Sequence, residues 1–268
     1  MSRRQFFKRI PHLSKRSNLV LSTTVLTIGL LIAFLLGPRV EIQSIGVLSL
    51  SSVLLGLYCL RNDLSGKKWL IIILLPLLFT IACGLFYYLL PARWLTRIIM
   101  LAIYAIGFYA ILLAENIYII STERSIKLLH AARTIGFLLS VVCAFGLYNV
   151  IFSLHTYLPF VVISIFIVSF LLILPTIWSM VLTDFISVRE LIHTMVLTVA
   201  ITEIGTLLTF WPVSVTFAAI FLAGNFYTLV GVSQYWVENR LFKRVLWEFV
   251  WVAVVLIIIL FFTAKWGG

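Results

Sequence analysis

Glu203 is the residue whose type and setting point most directly to chemistry. It is the thirteenth residue of the apolar run 191–210, which places it about 18 Å along a helix that rises ~1.5 Å per residue. An ionisable group inside a membrane is costly, so it marks a candidate site for a proton, a cation or a cationic solute. Three nearby polar residues are predicted to complete this binding site: Thr206, Asn225 and Thr228.

The runs 191–210 and 213–236 are joined by a short turn at Trp211-Pro212. Antiparallel packing would bring Glu203 and Asn225 within roughly one helical turn in depth. Two interpretations stay open. In the functional one Glu203 lines a cavity, and in the structural one it is protonated and bonds the next helix, for about 0.6 kcal/mol on average. A re-entrant hairpin over 191–236 is an alternative to two full spans.

The longest predicted loop, 121–133, reads STERSIKLLHAAR. Its apolar side favours a segment that continues the preceding helix and then lies on the inner membrane surface. Glu115, near the end of that helix, is expected to reach the headgroups or to pair with a loop arginine. Four loop residues are predicted to contact anionic headgroups: Arg124, Lys127, His130 and Arg133. The alternative is that these charges only anchor the topology.

Sequence motifs for enzymatic chemistry are missing. The chain contains no HExxH, GxSxG or phosphate-binding loop. Its only aspartates, Asp63 and Asp184, are far apart, and its three cysteines form no cluster with histidine. The sequence therefore predicts no catalytic residue, no metal site, no cofactor and no enzyme. An enzyme that modifies lipids through Glu115, Arg124 and His130 is a third-ranked alternative.

The elements that must position these residues follow from composition. Of the 268 residues, 63% are hydrophobic and 11% are charged, against roughly 45–50% and 25% in soluble domains. These values exclude a soluble fold. The long apolar runs lack the period of two that barrel strands show, so we predict an all-α transmembrane helix bundle. Nine runs reach span length, with eight spans as the fallback: 19–36, 44–60, 69–90, 98–120, 134–153, 158–183, 191–210, 213–236 and 247–263.

The distribution of basic residues predicts the orientation. If the N-terminus is cytoplasmic and nine spans alternate, sixteen of the twenty Lys and Arg residues lie inside, as the positive-inside rule favours. The C-terminus then lies outside. The net charge of +11 reflects this topology and not nucleic-acid binding. We expect a multi-pass protein of the plasma (bacterial inner) membrane, with a basic cytoplasmic segment at 1–18 and a single helical domain at 19–268.

A short internal similarity raises the question of a repeat. Residues 110–118 and 219–227 are identical at six of nine positions, including Asn116 and Asn225. The same pairing relates 19–120 to 134–236 as parallel four-helix repeats and leaves 247–263 as an added helix. Parallel repeats occur in transporters. Chance similarity between apolar segments is the alternative.

The stretch 115–137, ENIYIISTERSIKLLHAARTIGF, resembles a segment of uncharacterised multi-pass membrane proteins of bacteria. The resemblance implies a bacterial inner-membrane setting and no assigned activity. The leading functional hypothesis is a small-solute or ion transporter, permease-like, that uses an intramembrane Glu. The alternative is a non-catalytic scaffold or subunit that packs against a partner membrane protein or a second copy. The lipid bilayer and its anionic headgroups are the other predicted partners.

Overall fold

The computed structural model describes residues 15–37, 40–61, 69–91, 93–120, 126–182, 186–238 and 242–264. These residues form helices and no strand. The helices are α1 Lys15–Leu36, α2 Glu41–Leu60, α3 Trp69–Ile72, α4 Leu74–Tyr88, α5 Trp94–Ile119, α6 Ile126–Ser153, α7 Leu158–Val181, α8 Val188–Thr209, α9 Val215–Val237 and α10 Lys243–Thr263.

The described part of the chain contains nine helical segments that are long and apolar enough to cross a membrane. Helices α3 and α4 together form one of them, Trp69–Tyr88. The interruption at Ile73 lies next to Pro76, which lacks the N–H that would bond to the carbonyl of Ile72. The all-α bundle is thereby confirmed, with nine span-length segments and not eight. Its orientation relative to the cell stays a prediction.

One expectation and one alternative about individual elements do not hold. Residues 126–133 do not form a separate surface segment, because they are the first turns of α6, which continues unbroken to Ser153. Gly and Pro are missing between 121 and 135, so nothing separates these residues from the span that follows. The re-entrant hairpin is also excluded by length, since α8 has 22 residues and α9 has 23, enough for about 33 Å each.

Helix α6 is the central element of the bundle. It packs against α4, α5, α7 and α9. Gly136, Ser140 and Ala144 lie one turn apart along α6 and are buried, so this line of small residues permits close helix packing. Helix α10 is peripheral and packs mainly on α9.

The two predicted repeats show the same neighbour relations. In the first, α1 packs on α2, α2 on α4, α4 on α5, and α5 back on α1. In the second, α6 packs on α7, α7 on α8, α8 on α9, and α9 back on α6. Short connections favour this cyclic order in any antiparallel four-helix unit. Duplication therefore stays a prediction.

We call the end of the bundle at which α1 begins the basic end, because Arg16, Arg61, Arg189, Lys243 and Arg244 lie there. The opposite end is the far end. Between them the core is aromatic and closely packed. Tyr104 stacks near Phe79 and Phe108, with ring centroids 6.0 and 5.5 Å away. A Cβ on Gly107 would lie 2.4 Å from Phe79, which shows how tightly this region is filled.

Candidate functional site

Glu203 lies on the outer face of α8. Its side chain is exposed, whereas Ile201, Thr202 and Gly205 of the same helix are buried. The buried face of α8 packs chiefly on α7. In a bilayer this outer face meets lipid or another protein, so Glu203 points away from the described part of the bundle.

The other three residues of the predicted site bond to their own helices. Asn225 Nδ2 donates to the carbonyl of Phe221 at 2.8 Å. Thr206 Oγ1 donates to the carbonyl of Thr202 at 2.7 Å, and Thr228 Oγ1 to that of Asn225 at 3.0 Å. The structure therefore does not join Glu203 to Asn225. Polar side chains in a helix commonly form such bonds to their own backbone when no other partner lies within reach.

A different acid, Glu115 of α5, points into the bundle. Its residue is only 3% exposed, although it lies four residues before the end of α5, or about 6 Å from that end along the axis. The structure records no hydrogen bond or ion pair for its carboxyl among the residues it describes. The headgroup anchor expected from the sequence is thus a buried group. Of the two loop arginines that could pair with it, Arg133 bonds to other groups and Arg124 lies outside the described residues.

Glu115 lines a small cavity between α5, α6 and α7. Its volume is about 10 Å³, the space that one water molecule needs. Ser140, Thr176 and Ser179 contribute hydroxyl groups to its wall. Thr176 Oγ1 lies 3.4 Å from Ser140 Oγ. We call this space the acid cavity.

Close packing of α5 on α6 seals one side of the acid cavity. Tyr118 Oη donates to the carbonyl of Ala132 at 2.9 Å. Gly136 lets the tyrosine approach, because a Cβ at this position would lie 2.7 Å from the Tyr118 hydroxyl oxygen. The helix contact therefore depends on the absence of a side chain at residue 136.

Arg133 of α6 holds three elements together beside the acid cavity. Its Nη1 donates to Glu238 Oε1 at 2.8 Å, its Nε to the carbonyl of Ser179 at 2.9 Å and its Nη2 to the carbonyl of Met180 at 2.8 Å. The last two acceptors belong to the final turn of α7, where carbonyl groups lack helical partners and favour a cation. The side chain is 14% exposed, so this ion pair is largely buried.

A larger pocket opens on the other side of Arg133, between α6, α9 and α10. Its volume is about 440 Å³. The walls are aromatic: Tyr227 stacks on Phe137 at 5.5 Å and lies 5.4 Å from Phe249, centroid to centroid. Polar groups line it as well, namely Arg133, Glu238, His130 and Gln234. We call this space the aromatic pocket.

Two features make the aromatic pocket a candidate binding site. Gln234 Nε2 is buried there and donates to no group in the described part of the chain, so it could serve an acceptor oxygen on a ligand. Phe137 borders both the aromatic pocket and the acid cavity. A mostly apolar pocket of this volume with a few converging polar groups is the usual form of a ligand site.

The four residues predicted to contact headgroups are in different settings. Arg124 lies outside the described residues, and Lys127 is exposed at the start of α6. His130 Nδ1 lies 4.0 Å from Glu238 Oε1. Each of the three Arg133 nitrogens donates to a protein oxygen, so Arg133 has a structural contact where a lipid contact was predicted.

The fold and these cavities define a multi-pass helical membrane protein with a buried polar site near one end. The chain belongs to the family described as "Protein of unknown function (DUF5656)", whose profile matches residues 59–263. This confirms a family without an assigned activity, as the resemblance implied. No curated protein and no solved structure matches the chain. The matched region includes both acids and Arg133, and it omits α1 and nearly all of α2.

Proposed function

We propose that the protein is a permease-like carrier for a small solute or ion, and that Glu115 is its intramembrane acid in place of Glu203. One observation carries the proposal: Glu115 is buried, forms no recorded hydrogen bond or ion pair among the described residues, and lines a water-sized cavity. A buried acid with a purely structural role is normally satisfied by a base or by hydrogen bonds. This one faces space and hydroxyl groups.

The acid cavity suits a proton, a water or a small cation. A carboxylate with nearby hydroxyl oxygens offers hard oxygen ligands. An acid in such a site also changes charge when it gains or loses a proton, which can couple proton binding to solute binding. The proposal assigns the protein no chemical transformation and no cofactor.

The aromatic pocket is the proposed entry route. It lies at the basic end, which we infer to be cytoplasmic from the distribution of Lys and Arg. Phe137 separates the pocket from the acid cavity. A rotation of this ring would join the two spaces. The packed core around Tyr104 and Phe108 would form the closed far side of the carrier in this arrangement.

The setting follows from the same arguments. Because the helices are long and apolar enough to cross a membrane and the stretch 115–137 resembles a segment of uncharacterised bacterial membrane proteins, we propose the plasma membrane of a bacterium as the location of the protein. The exposed residues near the start of α6, Lys127 among them, would contact anionic headgroups there.

Accessibility of Ser140 to water-soluble reagents tests the carrier. In a variant with Cys59, Cys83 and Cys143 replaced by Ala, Ser140→Cys and Ser169→Cys are made singly. Both serines are buried, 1% and 0% exposed, but Ser169 lies in the packed core and bonds to Tyr148 Oη at 2.8 Å. A small charged methanethiosulfonate is added from each side of membrane vesicles.

We expect Ser140→Cys to react from the basic-end side and Ser169→Cys to stay unmodified, because a carrier must open its acid cavity to the aqueous phase. If Ser140→Cys is as unreactive as Ser169→Cys from both sides, the cavity is dry and the carrier proposal is rejected.

A further inference from the structure

The outer face of α8 is an unusual surface for a lipid-exposed helix. The apolar residues Val196 and Val199 on this face are 63% and 45% exposed. The exposed side chain of Glu203 lies on the same face, closer to the far end. The six residues that define this seam are separated by 4, 3, 4, 3 and 4 positions: Ile192, Val196, Val199, Glu203, half-buried Thr206 and Phe210.

This spacing is that of a left-handed helix pair, in which core positions repeat every 3.5 residues. Val196, Glu203 and Phe210 then share one core position, and Ile192, Val199 and Thr206 share the other. One polar residue at a core position fixes the register and the oligomeric state of such a helix pair. Glu203 is the one ionisable residue of the seam.

We propose that α8 pairs with α8 of a second copy of this chain through this seam, with the two Glu203 carboxyls facing each other. Two copies in one membrane insert in the same direction, so the paired helices are parallel. A neutral carboxyl both donates and accepts a hydrogen bond. Two of them facing across a two-fold axis therefore satisfy each other without any third group. The face of α8 that packs on α7 is not used.

The lack of a partner for Glu203 also favours a second copy over exposure to lipid. A carboxyl that faces hydrocarbon lacks any partner and is expensive, and Glu203 forms no hydrogen bond or ion pair with the described residues of its own chain. This inference goes beyond the proposed carrier function and stands independently of it, because Glu115 lies in a different part of the bundle.

Disulfide cross-linking across the seam tests the pairing. In the cysteine-free variant, Val199→Cys is compared with Ile103→Cys. The two positions are matched, since Ile103 is 43% exposed on α5 and lies nine residues from the far end of its helix, whereas Val199 lies ten from the far end of α8. Membranes are treated with a mild oxidant and the fraction of covalent dimer is measured.

We expect dimer from Val199→Cys and little from Ile103→Cys. Adding Glu203→Leu should lower the association constant about 5- to 30-fold, the equivalent of ~1–2 kcal/mol for an interhelical hydrogen bond. Glu203→Gln, whose amide also donates and accepts, should retain most of the dimer. Equal cross-linking at both cysteines, or no effect of Glu203→Leu, would overturn the proposal. If the protein is monomeric in every variant, the proposal is also overturned. The outer face of α8 would then be a contact surface for a different protein.

Discussion

Glu115 and Glu203 are the same residue type, each within an apolar helix, yet they occupy opposite kinds of environment. Glu115 is buried between α5, α6 and α7 beside a water-sized cavity. Glu203 is exposed on the outer face of α8. The inward acid has space and hydroxyl groups around it, which suits exchange with solvent. The outward acid has a regular apolar seam around it, which suits contact with another helix. Depth in the membrane therefore says less about a role than the direction a side chain faces.

The surroundings of Glu115 also differ from the rest of the core. Near the middle of the bundle, polar groups are paired: Thr80 Oγ1 lies 3.2 Å from Tyr104 Oη, and Tyr148 Oη lies 2.8 Å from Ser169 Oγ. Nearer the basic end, Gln234 Nε2 in the aromatic pocket has no hydrogen-bond partner in the described part of the chain, and buried Glu115 lines the acid cavity. A buried polar group without a hydrogen bond lowers the stability of the protein. The presence of such groups near the basic end therefore indicates a functional role for this region.

The largest effect is expected from Arg133→Ala. The change removes the largely buried ion pair with Glu238 and two bonds to the last turn of α7, so we expect a loss of about 3–5 kcal/mol. Lys127→Ala, on an exposed side chain of the same helix, is the control and should stay within about 0.5 kcal/mol. Thermal unfolding in detergent micelles measures both. Similar values for the two variants would mean that Arg133 does not hold α6, α7 and Glu238 together.

A smaller loss is expected from Gly136→Ala. The new Cβ would approach the Tyr118 hydroxyl oxygen to 2.7 Å, and overpacking of this kind costs about 1–3 kcal/mol. Gly46→Ala is the matched control, because a Cβ there meets nothing within 4 Å and Ala favours the helix by roughly 0.5–1 kcal/mol. Unfolding temperatures should fall for the first variant and hold or rise for the second. The reverse order would contradict the tight packing of Tyr118 on α6.

Glu115→Leu is expected to stabilise the protein. Removal of a buried carboxyl without a partner relieves a desolvation cost of about 1–3 kcal/mol, and a residue kept for function often lowers stability in this way. The unfolding temperature should therefore rise. A clear fall would show that Glu115 has a structural partner, and the comparison with Glu203 would lose its basis.

The smallest effect concerns the pair that the sequence suggested. Because Asn225 bonds only to its own helix, a double-mutant cycle with Glu203→Ala and Asn225→Ala should give a coupling within about 0.5 kcal/mol of zero. The cycle is measured from unfolding in detergent at a protein concentration that keeps the chain monomeric. A coupling well above this range would restore the predicted contact between the two residues.

The sequence predicts the helices well and the directions of their side chains poorly. Run length determines a span, so eight of the nine span-length segments both begin and end within four residues of the predicted boundaries. The exception is α6, which begins at Ile126, earlier than predicted. Its first turns carry charged residues, so the sequence predicts a loop for them. Two sequence features could have predicted this early start: the helix-favouring residues Ala131 and Ala132, and the absence of Gly and Pro in this stretch.

Side-chain direction is hidden because these helices are apolar on every face. A helix of a soluble protein has an apolar face toward the core and a polar face toward water. A membrane helix contacts lipid on one face and neighbouring helices on the other, and both of these faces are apolar. The sequence therefore indicates the depths of Glu115 and Glu203 but not which of the two faces into the bundle. The role of Glu238 was missed for a related reason. Glu238 and Arg133 are 105 positions apart in the sequence. The one sequence signal for their pairing is that the predicted topology places both helix ends at the same membrane face.

The most direct test of this account replaces each acid by cysteine. In the cysteine-free variant, Glu115→Cys and Glu203→Cys are exposed in membranes to a small, charged, water-soluble thiol reagent, and the two reaction rates are compared. We predict that Glu115→Cys reacts from the basic-end side and that Glu203→Cys reacts far more slowly, because only the inward position opens to water. Equal rates, or faster reaction at Glu203→Cys, would contradict the assignment of the two acids.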